Sequence, residues 1–206
     1  MNKLIRKLYN QFDSILDQNV INVPVNKRGK LPNNIKPLSA KEAFEVIWPQ
    51  VSQFDAKALL YSLQSGKDLD QTGHSNRWSF SFDLPSRLAI LMAEVYRESP
   101  TDPNSATMID ISVVPFAGKD STLSTMAKEG DILYRQIRET WQERLRLRQY
   151  LPKQFIDSVD ALSQITQGEG FKFDGLGILS AKVLGVEGAV WMLEAKMQQK
   201  TVAFGP

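Results

Sequence analysis

Apolar residues fall at two distinct spacings along this chain, and the switches between them mark out its elements. Leu4, Ile5, Leu8, Tyr9, Phe12, Ile15 and Leu16 recur at helical spacing, with Lys3, Arg6, Lys7, Asn10, Asp13 and Asp17 opposite. That pattern predicts an amphipathic helix over 2–17 with a broad apolar stripe. The stretch NKRGKLPNNIKP at 26–37 reads as a linker from its Gly, Pro and Asn content. Ser39 with Glu42 three residues on has the form of a capping box, opening a helix through Ala43, Phe44, Val46 and Ile47. Pro49 is expected to bend or end that helix. Trp78-Ser-Phe-Ser-Phe82 alternates apolar and polar residues, as a half-buried strand does, and 58–63, 88–96 and 108–116 read as further strands, although propensity alone would also allow a helix at 88–96. From 121 to 150 the spacing turns helical, with Leu133, Ile137, Trp141 and Leu145 at intervals of four, until Pro152 closes it. A short helix at 155–165 and a glycine-punctuated strand region complete the chain.

The two halves resemble one another. Residues 54–66 lie over 173–185 without a gap: Phe54 meets Phe173, Asp55 meets Asp174 and Gly66 meets Gly185, while Ala56 and Ala58 meet Gly175 and Gly177. Upstream, Glu42-Ala43 meets Asp160-Ala161 with a one-residue offset. Downstream, Trp78 meets Trp191, after which Leu91 and Phe204 fall into register. The shared order of helix, Phe-Asp, strand, Gly and Trp-bearing strand points to an internal repeat. The copies differ most between Gly and Trp, where the first inserts 67–77, expected to be an exposed, mobile hairpin loop.

Helix, strand, acidic turn and Trp-bearing strand together, with Asp68-x-Asp70-x-x-Gly73 ahead of Trp78, resemble the PepSY-like module. The resemblance implies a helix packed on a small antiparallel sheet. Members of that group are often exported or membrane-linked, and some restrain proteases. Here, polar residues interrupt the opening MNKLIRKLYNQFDSIL too often for the apolar core of a secretion signal, and no stretch nears the ~18 apolar residues of a membrane span. Cytoplasm is therefore the expected compartment.

Composition narrows the chemistry. With no cysteine there is no disulfide, thiolate ligand or cysteine nucleophile, and the single histidine, His74, precludes a histidine-pair metal site. No nucleophile elbow, P-loop or dinucleotide fingerprint is present. Asp68, Asp70, Thr72 and Gly73 match the first half of a calcium loop, but position twelve is Ser79 where a bidentate Glu is needed. Asp68 and Asp70 are thus the nearest approach to a metal site, set against ordinary turn chemistry. Net charge is +2, with cations concentrated before Lys36 and again at Arg144, Arg146, Arg148 and Lys153. The second cluster complements the negative end of a helix dipole, and the alternative reading is a site for an acidic partner or nucleic acid.

The fold class these features predict is α+β: two copies of a helix-plus-antiparallel-strands unit joined by a long helix, preceded by an amphipathic helix. The boundaries are an arm and basic linker at 1–37, a first unit at 38–118, a connecting helix at 119–152 and a second unit at 153–206. The function expected is non-catalytic, a protein-interaction or scaffold role with no cofactor. Leu8 and Phe12 on the arm, and Arg144, Arg146 and Arg148 on the long helix, are the candidate partner-binding residues for another protein or for self-association. Alternatives are a carboxylate-based enzyme or small-ligand binder, with Asp55 and Asp174 as candidate acids, and a nucleic-acid or anionic-surface binder acting through the linker and the Arg-rich helix. A membrane surface is a further partner open to the N-terminal helix, although Asp13 and Asp17 oppose its cations. The arm is expected to bury its stripe against protein.

Overall fold

The computed structural model of the protein describes residues 26–30, 36–99, 101–102, 105–116, 132–167, 173–184, 189–195 and 198–204. It is of the α+β class. In chain order the elements are β1 (Asn26–Lys30), α1 (Ala40–Phe54), β2 (Leu59–Ser65), β3 (Arg77–Leu84), β4 (Ala89–Arg97), β5 (Thr107–Pro115), α2 (Ile132–Leu147), α3 (Ser158–Thr166), β6 (Gly177–Val183), β7 (Ala189–Ala195) and β8 (Gln198–Phe204). All eight strands join one antiparallel sheet in the order β1-β5-β4-β3-β2-β6-β7-β8. Strands from the two halves of the chain thus share a sheet, meeting where β2 pairs with β6 through Ser62–Lys182, Leu63–Ala181 and Gln64–Ser180.

Strand pleating sends alternate side chains to opposite faces, and the inner face holds the core. On β3 it carries Trp78, Phe80, Phe82 and Leu84, all buried, with Leu91, Ala93 and Val95 beside them on β4. On the other half Leu179, Ala181, Trp191 and Leu193 continue it. Helix α1 packs on β3 and β4, α3 on β7 and β8, and the two helices touch each other. Phe44 of α1 lies 6.0 Å from Phe80 and 5.6 Å edge-on to Phe155, which itself lies 6.4 Å from Trp191, so one chain of rings ties the halves together.

The capping box at Ser39 and Glu42 forms as its spacing predicts. Helix α1 does not stop at Pro49 but runs on to Phe54. Ile47 and Val51, on either side of the proline, are both fully buried, and their packing holds the helix together across the hydrogen bond that Pro49 cannot donate. A second correction concerns 26–37: Asn26–Lys30 is an edge strand paired with Met108–Ser112, not linker. Ladder bonds to β5 override the low strand propensity of its Asn and Gly. The expected helix over 2–17 lies outside the described residues, as do 121–131 of the expected long helix.

The loop 67–77 departs furthest from expectation. Instead of projecting as an exposed hairpin, it folds back over the join between the halves. Leu69 is fully buried and bridges to Gly177, Ser75 bridges to Leu38, and Gly73 abuts α3. Gly73 has φ +86°, and a Cβ there would sit 2.8 Å from the Ser158 carbonyl oxygen, so both backbone and space require glycine. The gapless sequence register also needs correcting. Leu60 and Leu179 are both buried, but a β-bulge between Leu60 and Ser62 shifts the strand, so that buried Leu63 is set against exposed Lys182. Leu91 pairs with Phe82 whereas Phe204 pairs with Ala189, and these are not matching places. Four residues separate β3 from β4 and two separate β7 from β8.

Trp78 and Trp191 each sit on the second strand after a helix, on the inner face, and each is 1% exposed. Trp78 also donates from Nε1 to the Leu38 carbonyl at 2.8 Å. Truncation of either to Ala is expected to cost about 3–5 kcal/mol, read as a fall in the urea midpoint with little change in slope. A cost below about 1 kcal/mol at either position would show that the ring contributes no core packing there.

Candidate functional site

The outer face of the sheet carries the polar residues of the same strands, and its organising group is Asp83. Strand alternation turns this residue away from the aromatic core, yet its side chain is fully buried. Helix α2 lies over it. Arg144 approaches with Nη2 2.8 Å from Oδ1 and Nε 3.2 Å from both carboxylate oxygens. One helical turn on, Arg148 reaches Oδ2 with Nη1 at 3.4 Å, and Tyr150 donates its hydroxyl to the same oxygen at 3.0 Å. The aromatic surroundings shape the pair. Trp141, 1% exposed, packs its ring against Phe116 at 4.7 Å with the planes tilted by 46°, the Arg144 guanidinium lies 5.4 Å from Phe116 and 5.8 Å from Tyr61, and that of Arg148 lies 4.0 Å above Tyr61.

Burial opposes the charge on Arg144, but the hydrogen bonds and field of Asp83 outweigh it and hold the guanidinium pKa above its usual value. Burial, the field of Asp83 and the hydrogen bond to it all keep the Tyr150 phenol protonated well beyond its ordinary range, against the weaker pull of Arg148 and Arg144. Arg146 is on α2 between the two, about 200° round the helix from Arg144, and is exposed away from the cluster.

Beside this cluster an open groove of about 680 Å³ runs between the end of α2 and the outer side of the β2–β6 junction. Tyr61 and Ser62 form its floor, Arg144, Leu147 and Arg148 one wall, and Lys182 and Val183 the other. It opens where the β2–β6 ladder ends at the Ser62–Lys182 pair. At that point the bulge carries β2 aside and the Leu60 carbonyl accepts instead from the Leu151 N–H at 2.8 Å. Lys182 is exposed and pairs with no carboxylate among the described residues.

Of the candidate residues, the structure brings Arg144 and Arg148 together with Asp83 and leaves Arg146 outside. Leu8 and Phe12 lie outside the described residues. Lys153 stands over the Trp48 ring at 3.9 Å. Asp68 and Asp70 serve their own turn: Asp70 Oδ1 accepts from Thr72 N, Thr72 Oγ1 and His74 N, and Asp68 accepts from Ser75 Oγ and Asn76 N. Those bonds hold Asp70 below the usual carboxylate range although burial works the other way. His74 accompanies them, Nδ1 2.7 Å from Thr72 Oγ1. Among the described residues no three His, Asp or Glu side chains group to hold a metal ion. Asp55, buried at the C-cap of α1, accepts from Lys57 N and Ser86 N, while Asp174 is exposed, so the two candidate acids share no environment. Sequence reasoning missed Asp83, Tyr150, Tyr61 and Lys182. A signal existed for Asp83, a lone acid between Phe82 and Leu84. Lys182 looked like an ordinary strand cation.

Comparison with known proteins adds no neighbour: no family model, no curated protein and no solved structure matches the chain. No helix among the described residues is long and apolar enough to cross a membrane.

Removing one partner of a buried ion pair costs about 3–5 kcal/mol when the charge left behind is uncompensated, and here Arg148 and Tyr150 would still contact Asp83. Arg144→Met is expected to cost about 3 kcal/mol, the lower end of that range, in urea unfolding. Arg148→Met, whose contact to Asp83 is longer and whose side chain is 32% exposed, should cost less. Equal costs would contradict the assignment of Arg144 as the principal partner. The raised Tyr150 pKa has a definite sign: its stabilisation is complete below the unfolded value near 10 and is lost only as pH rises through the higher folded value. Absorbance titration should therefore show a late tyrosine that disappears in Tyr150→Phe.

Proposed function

We propose that the protein is a non-catalytic interaction module in which the groove beside α2 receives an acidic segment of a partner protein. The observation that carries this reading is the convergence of Arg144, Arg148 and Lys182 on one open groove whose local carboxylate, Asp83, offsets only part of their charge. Charge complementarity of this kind steers association and fixes register more than it adds affinity.

We also infer that the sheet arose from two copies of a helix-and-strands unit. In support, the buried positions of α1 and α3 match at one constant offset: Ala40 with Ser158, Ala43 with Ala161, Phe44 with Leu162 and Ile47 with Ile165. Their N-caps, Ser39 and Asp157, stand in the same relation. In this reading the groove lies where the two copies join, a place neither would possess alone.

A fluorescent poly-glutamate peptide tests the docking reading. Saturable binding that weakens with added salt is expected, and Lys182→Glu should reduce it by about fivefold, the size of one partly exposed charge contact. Binding unchanged in Lys182→Glu would remove the groove from the interaction. A metabolite retained in the native mass spectrum would favour the small-ligand alternative, since the groove's volume of 680 Å³ also falls within the range of small-molecule sites.

A further inference from the structure

We propose that the groove selects an acidic peptide that carries an apolar side chain next to its carboxylates, and that Leu147 reads the apolar part. This rests on the docking reading above and specifies what docks. The cations are not equivalent. Arg144 commits both Nε and Nη2 to Asp83, whereas Arg148 reaches that carboxylate through Nη1 alone at 3.4 Å, leaving most of the five N–H donors of a guanidinium for another acceptor. Lys182 faces it from β6 and has no carboxylate partner among the described residues. Carboxylates are thus received between Arg148 and Lys182.

The apolar element lies alongside. Leu147 is 67% exposed on the groove wall, and Val183 lines the facing side. A single exposed leucine is ordinary. Leu147 and Val183, lining the same groove as two available cations, make with them a composite surface that a bare anion would use only in part. Single-stranded nucleic acid fits less well, because it needs an open aromatic face for its bases. The Tyr61 ring is already covered by Arg148 at 4.0 Å, with Arg144 at 5.8 Å.

The test compares a labelled Glu-only peptide, the same peptide with its central residues replaced by Leu, and a labelled oligothymidylate, against the intact chain and its Leu147→Ser and Lys182→Glu variants. Leu147 and Lys182 are both exposed, so neither substitution disturbs the core. The Leu-bearing peptide should bind about tenfold tighter than the Glu-only one, the scale of one partly buried leucine. Leu147→Ser should abolish that gain and leave the Glu-only peptide unaffected, while Lys182→Glu should weaken both. If the two peptides bind equally, or the gain survives in Leu147→Ser, the apolar selection is wrong and the docking reading stands. If neither peptide shows binding that depends on Lys182, both readings fall. Oligothymidylate binding tighter than either peptide would replace both with a nucleic-acid site.

Discussion

The continuity of the sheet depends on the meeting of β2 and β6, where three residue pairs join four strands and edge strand β1 on one side to three strands on the other. So short a ladder is reinforced by side chains and by a loop. Asp157 Oδ1 accepts from the N–H groups of both Ser158 and Lys41, and Ser158 Oγ accepts from Ala40 N while donating to the Gly73 carbonyl. The first turns of α1 and α3, which would otherwise leave N–H groups unpaired at a buried contact, thereby satisfy one another. Loop 67–77 straps across the same place, bridging Leu69 to Gly177, and Ser65 Oγ accepts from Leu179 N at 2.9 Å.

The two faces of the sheet answer to different physics. The inner face is held by burial: aromatic rings on β3 and β7 and the apolar stripes of α1 and α3 leave water together, a non-directional force that tolerates irregular join geometry. The outer face is held by directed contacts. Among the α2 side chains described, Trp141 alone is buried, and the helix is anchored by its contact with Phe116 and by the arginines on Asp83. A carboxylate with no exposed surface is costly unless paired, and this cost makes the anchor specific. The groove follows from the same arrangement. The bulge at Tyr61 turns β2 away from β6, α2 ends above the gap, and the cations that anchor the helix also form its wall.

Much of the fold was legible because it rests on local pattern. The alternation in Trp78–Phe82, the Ser39–Glu42 capping box and the apolar spacing of both inner helices depend on residues close in sequence, and their elements formed where that pattern placed them. Edge strand β1 was not legible, since nothing in Asn26–Lys30 favours a strand until β5 offers its ladder. Nor was the burial of loop 67–77: Asp, Thr, Gly and His satisfy a turn equally well in solvent or against α3. The arginine cluster was visible as a cluster, while its partner, distant in sequence, was not.

What the sequence determined by itself is the α+β class, the amphipathic faces and the exclusion of thiolate and paired-histidine chemistry, because composition and short-range periodicity suffice for each. Tertiary structure alone decided that both halves share one sheet, that Asp83 answers Arg144 and Arg148, and that Lys182 comes to face them. Those outcomes depend on strand register, where one bulged residue at Tyr61 decides which side chains point the same way. Periodicity says that a strand has two faces, and only pairing with its neighbours says what lies across from each.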